Sequence, residues 1–323
     1  MKAVVYHNYG SPDALKFEEI EKPLAGDNEV LIKVRAASVN PLDWHFMRGT
    51  PYLVRIMTGP RRPKSPRLGV DVAGQVEAVG RNVTQFKAGD EVFGTCRGAF
   101  AESVCTSESA LATKPEKLTF EQAASVPIAA FTALQGLRDK GRIQPGHKVL
   151  INGAAGGVGT FAVQIAKSFG AKVTAICSTR NADMVQSIGA DHVIDYTQQD
   201  FTESGLHYDL ILDCVGNHSL LACRSALTPN GIHVAVGGPS NPWMIGPLVS
   251  ALMGLLLSRF VGQKFVTFMA RSNQADLNVL RELMETGKVK PVIDRTYSLS
   301  EVPEAIRYLE GGHARGKVVI TVG

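Results

Sequence analysis

The sequence predicts an α/β protein in which an antiparallel, barrel-like β module is followed by a doubly wound parallel sheet. Three observations carry this reading. The N-terminal third consists of short apolar runs separated by Gly, Pro, Asn and Asp, the texture of antiparallel strands and tight turns. From about residue 120 strands and helices alternate, which is how parallel strands and their crossover connections read in a sequence. Between an apolar strand and an apolar-spaced helix lies the small-residue run Gly153-Ala154-Ala155-Gly156-Gly157-Val158-Gly159.

Taken in order, residues 30–34 and 70–76 are typical strands of the first module. A helix is expected over 120–140, then a strand over 148–152, a helix over 157–169 and a strand over 172–177. The alternation continues with a helix over 184–188 and strands over 192–194, 208–213 and 232–236, enough for six strands in two halves. A strand over 264–270, a helix over 274–286 and a last strand over 317–322 complete the chain, the last placed to return to the first module. The 323 residues exceed the length at which a single core stops growing, so more than one domain is expected. We place the β module at 1–122, the parallel sheet at 123–270 and a returning C-terminal segment at 271–323.

Composition narrows the function. The apolar fraction of 45%, charged fraction of 20% and net charge of +4 are those of an ordinary folded domain and give no basis for nucleic acid as partner. The one basic cluster, Arg61, Arg62, Lys64 and Arg67, is interleaved with prolines and reads as a solvated loop. Five cysteines without a C-x-x-C pair argue against a disulfide framework and for a reducing, cytoplasmic location, and the N-terminal residues lack signal-peptide features. The uncharged stretch 243–257 is too short to span a bilayer, so no integral membrane span is expected; it reads as a buried or interfacial helix, with a membrane-surface contact or substrate-channel wall as alternatives.

The small-residue run is the most informative feature. Ala154, Gly156 and Gly159 follow an A-x-G-x-x-G spacing, which lets backbone N–H groups approach a pyrophosphate and lets the following helix pack on the strand. Ala155, Gly157 and Val158 complete the turn, and the helix start adds the positive end of its dipole. Binding of NAD is usually marked by an acidic residue at the end of the next strand. Here that position reads Ser178-Thr179-Arg180, two hydroxyls and a permanent cation suited to a 2′-phosphate, so NADPH is the expected cofactor.

The run from Gly146 through Gly159 and Gln164 to Lys167 resembles the signature of the zinc-independent quinone oxidoreductases, the branch of the medium-chain dehydrogenase/reductase superfamily that includes zeta-crystallin. The segments 37–44, 69–80, 89–94, 98–102 and 314–319 are similar too, so the likeness covers nearly the whole chain. The resemblance implies a GroES-like catalytic domain, a Rossmann domain, a nicotinamide between them, and a homodimer formed across the 264–270 strand. It also implies an oxyanion-binding role for Asn40 and Tyr52. Further cofactor contacts carried over are Thr132, Tyr196, Cys214-Val215-Gly216, Gly237, Gly238 and Lys317, the last with an exposed edge-strand position as its alternative.

Zinc-dependent relatives place a cysteine where this chain has Asn40 and Gly-His-Glu where it has Gly69-Val70-Asp71. No metal site is therefore expected, and the eight histidines show no paired ligand spacing and read as ordinary polar or surface residues, His45 as an exposed loop residue. Without a Lewis acid, quinones and α,β-unsaturated carbonyls are the expected acceptors, because they spread the charge that hydride addition creates. A cofactor-binding sensor or structural protein without turnover, possibly associated with a membrane surface, is the alternative.

Overall fold

The computed structural model describes residues 1–237, 254 and 261–323. Within it the chain forms two compact units. The first comprises residues 1–129, 272–287 and 291–323, and the second residues 130–271 and 288–290.

The first unit holds β1 (Lys2–Tyr6) and β2 (Leu15–Glu19) as an antiparallel pair, and β3 (Glu29–Val39), β4 (Asp71–Val79), β5 (Glu91–Thr95), β6 (Ser103–Ser107) and β7 (Leu111–Thr113) in a larger sheet. The second unit contributes β8 (Lys148–Asn152), β9 (Lys172–Cys177), β10 (His192–Asp195), β11 (Tyr208–Asp213), β12 (Leu227–Ala235) and β13 (Lys264–Thr267). Finally β14 (Ile293–Ser298) and β15 (Lys317–Thr321) join the first unit's sheet, in the order β14-β15-β3-β4-β5-β7 with β6 also paired to β3. A core built from Val4, Ile32, Val72, Phe100, Ile306 and Val318 lies against this sheet.

The second sheet is parallel throughout and runs β10-β9-β8-β11-β12-β13, the strand order of a doubly wound nucleotide-binding fold. Its central strands are apolar on both faces, as parallel strands covered by helices on each side must be. The order reverses between β8 and β9 on one side and β11 on the other, which is where such sheets bind ligands at their C-terminal strand ends.

The expected helix over 120–140 is broken. It forms as Phe120–Ala124, then Pro127–Gln135, then a single wide π turn over Gly136–Lys140. Pro127 lacks the N–H that a continuous helix needs and disfavours helical backbone before it, so a new helix starts there. The first unit runs to Ala129, seven residues past the boundary expected at 122, and the second unit also takes 288–290 from the C-terminal segment.

Two buried glutamines pin the points at which the chain leaves and re-enters the second unit. Gln135 donates to the carbonyl of Arg271 at 2.7 Å and accepts from its N–H at 3.0 Å. Gln164 does the same for Lys290, donating at 2.9 Å and accepting at 2.8 Å. A primary amide matches a peptide's donor and acceptor, so each side chain acts as one rung of a backbone ladder. Gln164→Ala should cost about 1–3 kcal/mol for the lost pair. The change would be read as a lower denaturation midpoint of the second unit, and an unchanged midpoint would contradict the pinning role.

Candidate functional site

Each unit carries one polar centre. In the first, the end of β3 and the starts of β4 and β15 meet the helix Pro41–Arg48, and bring together Ser38, Asn40, Asp43, Asp71 and Lys317, all essentially buried. Asp71 is the hub. Its Oδ2 accepts from the Ser38 hydroxyl at 2.8 Å and from Asn40 Nδ2 at 2.9 Å, and its Oδ1 accepts from the Ile128 N–H at 3.0 Å. The Lys317 ammonium donates to Asn40 Oδ1 at 2.6 Å and lies 3.6 Å from Asp71 Oδ2. Asp43 accepts from the backbone N–H groups of Asn40 at 2.8 Å and Gly69 at 3.1 Å.

This geometry bears on two expectations and corrects the exposed-edge alternative for Lys317. Asn40 spends both amide hydrogens, one on Asp71 and one on the Ser38 carbonyl at 3.3 Å, and its oxygen on Lys317, so in this arrangement its donors are already taken. Lys317 does not sit on an exposed edge: β15 lies between β14 and β3, and the side chain is 3% exposed. Tyr52, in contrast, is 45% exposed just before the short helix Val54–Thr58, its ring face against the Arg55 guanidinium at 4.9 Å. His45 is helical and half-buried, stacked on Trp44 at 3.7 Å with Nδ1 2.7 Å from the Thr50 carbonyl.

The second centre lies at the C-terminal ends of the parallel strands. The turn from Gly153 leads into the helix Gly157–Ser168, capped by Gly156 in extended backbone. A Cβ on Gly159 would lie 2.1 Å from the Gly153 carbonyl oxygen, so only glycine lets helix and turn meet. Gly156 has only that same carbonyl near its Cβ position, at 3.4 Å, and Gly156, Gly157 and Val158 remain partly open while Ala154 and Ala155 are buried. This cradle, closed behind and open in front, fits a dinucleotide pyrophosphate.

Around it stand the other expected contacts. The tail of β11 is organised by Asp213, whose Oδ1 accepts from Asn152 Nδ2 at 2.9 Å, Val215 N–H at 3.0 Å and Gly216 N–H at 2.8 Å. Cys214 follows β11, its N–H bonded at 3.0 Å to the carbonyl of Asn152 at the end of β8, and Gly237 after β12 lies so close that a Cβ would be 2.2 Å from the Cys214 carbonyl oxygen. Thr132 is half-buried on the helix Pro127–Gln135, and Gly238 and the stretch 243–257, save Gly254, lie outside the described residues.

After β9, Ser178 is half-buried and Thr179 and Arg180 are exposed, with Tyr196 61% exposed after β10. The structure adds a residue that the sequence reading passed over. Asp195, the last residue of β10, accepts the Thr179 hydroxyl, and also the N–H and hydroxyl of Thr197. The Thr179 hydroxyl and these further bonds hold its carboxyl below the usual carboxylate range. An acid is therefore present beside the expected 2′-phosphate site, supplied by the neighbouring strand.

Among the described residues one group of three metal-type side chains has ligand atoms within 4.8 Å of one another, Asp213, Cys223 and His233, and it lies in the second unit. His233 is thus deeply buried, contrary to its reading as an ordinary polar residue. The first unit's centre, with an amide and an ammonium among its groups, does not fit a catalytic zinc.

Burial pushes the Asp43 carboxyl up to about 7, and the Asp71 charge adds to this, although the Asn40 and Gly69 N–H groups pull the other way. Burial likewise holds Lys317 below the ordinary lysine value, against the attraction of Asp71 and Asp43. Since the unfolded carboxyl has a value of 3.8, folding takes up a proton at Asp43 between there and about 7. Its contribution to stability is full below the lower value and is lost as pH rises through the upper one. Asp43→Asn should flatten that dependence: wild type loses stability from pH 4.5 to 7.5 more steeply than the variant in denaturant titrations, and equal slopes would count against it.

Residues 26–116 match the family described as alcohol dehydrogenase GroES-like domain, and residues 188–320 that described as zinc-binding dehydrogenase. The chain is 36% identical to mouse "NAD(P)H oxidoreductase RTN4IP1, mitochondrial", covering 100% of this chain and 89% of that protein. It is 37% identical to tomato 2-methylene-furan-3-one reductase, covering 99% and 79%. Its fold superposes on the quinone oxidoreductase of Coxiella burnetii with a TM-score of 0.89 at 32% identity, covering 100% and 99%. The chain belongs to the quinone oxidoreductase branch of the medium-chain dehydrogenase/reductase superfamily.

Proposed function

We propose that this protein is an NADPH-dependent oxidoreductase that transfers hydride to quinones or α,β-unsaturated carbonyls without a catalytic zinc. The observation that carries the reading is the cradle at Gly153–Gly159, whose closed face admits only glycine and whose open face offers N–H groups at the start of a twelve-residue helix. Relatives named for NAD(P)H oxidation, for reduction of an exocyclic enone and as a quinone oxidoreductase support the acceptor class.

The nicotinamide, when bound, supplies the hydride. The chain's own residues do the rest. The turn and helix start hold the diphosphate, and Ser178, Thr179 and Arg180 take the 2′-phosphate. In the first unit Tyr52 is the donor for the developing oxyanion, while Asn40 and Lys317 hold the buried network in shape. A conjugated acceptor places charge on an oxygen remote from the carbon that receives hydride, so a phenol can serve where a simple ketone would need a metal.

Five free cysteines fit a reducing compartment such as the cytoplasm, and no helix among the described residues is long and apolar enough to cross a membrane. The edge of β13 is the end of the parallel sheet among the described residues and is the proposed two-fold pairing edge of a homodimer. Light scattering should give twice the monomer mass of 34.6 kDa, and a monomer would remove the assignment.

The decisive assay is NADPH oxidation against a panel of quinones and enones. Acceptor-dependent turnover is expected; tight NADPH binding with no turnover on any acceptor would favour a sensor. Arg180→Ala should weaken NADPH by about 10–100-fold, the value of a charge-assisted contact, and leave NADH nearly unchanged. Equal losses for both nucleotides would exclude Arg180 from phosphate recognition.

A further inference from the structure

We propose that Asp213, Cys223 and His233 form a buried site for one zinc-class divalent ion in the parallel-sheet unit, separate from the hydride chemistry. The three come from different elements: Asp213 ends β11, His233 lies in β12 between β11 and β13, and Cys223 is on the short helix Leu220–Ser225. Each is buried, at 2%, 3% and 1% exposure, and their ligand atoms lie within 4.8 Å of one another.

The surroundings of His233 Nε2 point to a missing ligand. The Nε2 of His233 is buried and makes no hydrogen bond, which is rare in a folded interior because the lost hydration is not replaced. It stands 3.4 Å from Asp213 Oδ2, close enough to help hold that carboxyl below the usual range but long for an N–H···O bond. Two tetrahedral zinc ligands with bonds of about 2.0–2.1 Å stand about 3.4 Å apart, so the spacing that is poor for a hydrogen bond is right for a shared ion. Meanwhile Asp213 Oδ1 is fully occupied by Asn152, Val215 and Gly216, which fixes the carboxylate with Oδ2 turned towards His233.

The donor set names the class of ion. Thiolate, imidazole and carboxylate together suit Zn²⁺ or Co²⁺, whereas Mg²⁺ and Ca²⁺ take oxygen ligands. The Cys223 thiol loses its proton to solvent as the sulfur–metal bond forms, and thiolate plus carboxylate then balance the ion's two charges in the apolar surroundings of Phe265, Ala226 and Leu227. Water completes the fourth position. Because Asp213 also carries the Val215 and Gly216 N–H groups, occupancy of the site stiffens the turn after β11.

The full chain, expressed with added Zn²⁺ and purified without chelators, should carry about one zinc per chain by elemental mass spectrometry. Expressed with Co²⁺ in its place, it should show thiolate-to-cobalt charge-transfer absorption in the near ultraviolet together with visible bands of a tetrahedral site. Cys223→Ser should abolish the charge-transfer band, His233→Gln should abolish metal retention, and Cys96→Ser should keep both. Far-ultraviolet circular dichroism identifies a variant that fails to fold, in which case the other variant decides. Less than about 0.1 metal per wild-type chain, or a charge-transfer band that survives in folded Cys223→Ser, would overturn the proposal.

Discussion

A carboxylate removed from water must be satisfied where it stands, or the fold loses several kcal/mol. Asp71 has no exposed surface, and its partners come from Ser38, Asn40, Ile128 and Lys317, residues spread from the first strands to the last. The register of β3 against β4 and β15, the start of the helix Pro41–Arg48 and the approach of Ile128 are all tied to that one side chain. Displacing any of them would leave a buried donor or acceptor open, so the first unit has little freedom at this point. Asn40 and Asp71 together hold the ammonium of Lys317, at 2.6 Å and 3.6 Å. The first unit's polar centre thus closes on itself, with the ammonium held between Asn40 and Asp71.

The second unit uses the same device for a different end. Asp213, almost as deeply buried, spends one oxygen on Asn152 and on the N–H groups of Val215 and Gly216, and so ties the ends of β8 and β11 to the turn that follows. Two glycines then allow the strand ends to crowd together, Gly159 against the Gly153 carbonyl and Gly237 against the Cys214 carbonyl. Rigid strand ends and a helix start held at van der Waals distance leave backbone N–H groups as the exposed polar surface. That arrangement suits an anion whose charge is spread over several oxygens.

Much of this was legible in the sequence, for physical reasons. The strands 148–152, 172–177 and 208–213 are continuous apolar runs because both faces are covered, and their bounds in the structure coincide with the reading. The Gly156–Gly159 turn was legible because sterics demand small residues at fixed spacing. The break at Pro127 was written in the sequence but outweighed by the apolar content around it. What could not be read is pairing between distant residues. Asn40 looked like a free donor because Asp71 and Lys317, 31 and 277 positions away, become its partners only when three strands align. His233 looked ordinary because its neighbours Asp213 and Cys223 follow no local spacing.

The same blindness touches the cofactor. The absence of an acid after β9 argued for NADPH, yet Asp195 arrives from the next strand in register with Cys177 and takes the Thr179 hydroxyl. That hydroxyl is then partly spent, and a 2′-phosphate near it would meet a carboxylate held in its charged form. Arg180 must offset this repulsion before it contributes any preference. Both groups are exposed, so water and salt weaken each interaction, and the difference between them is smaller than either alone. Discrimination between the two nucleotides at this strand end is therefore a balance of opposed surface charges, Arg180 against Asp195, and one that narrows as ionic strength rises.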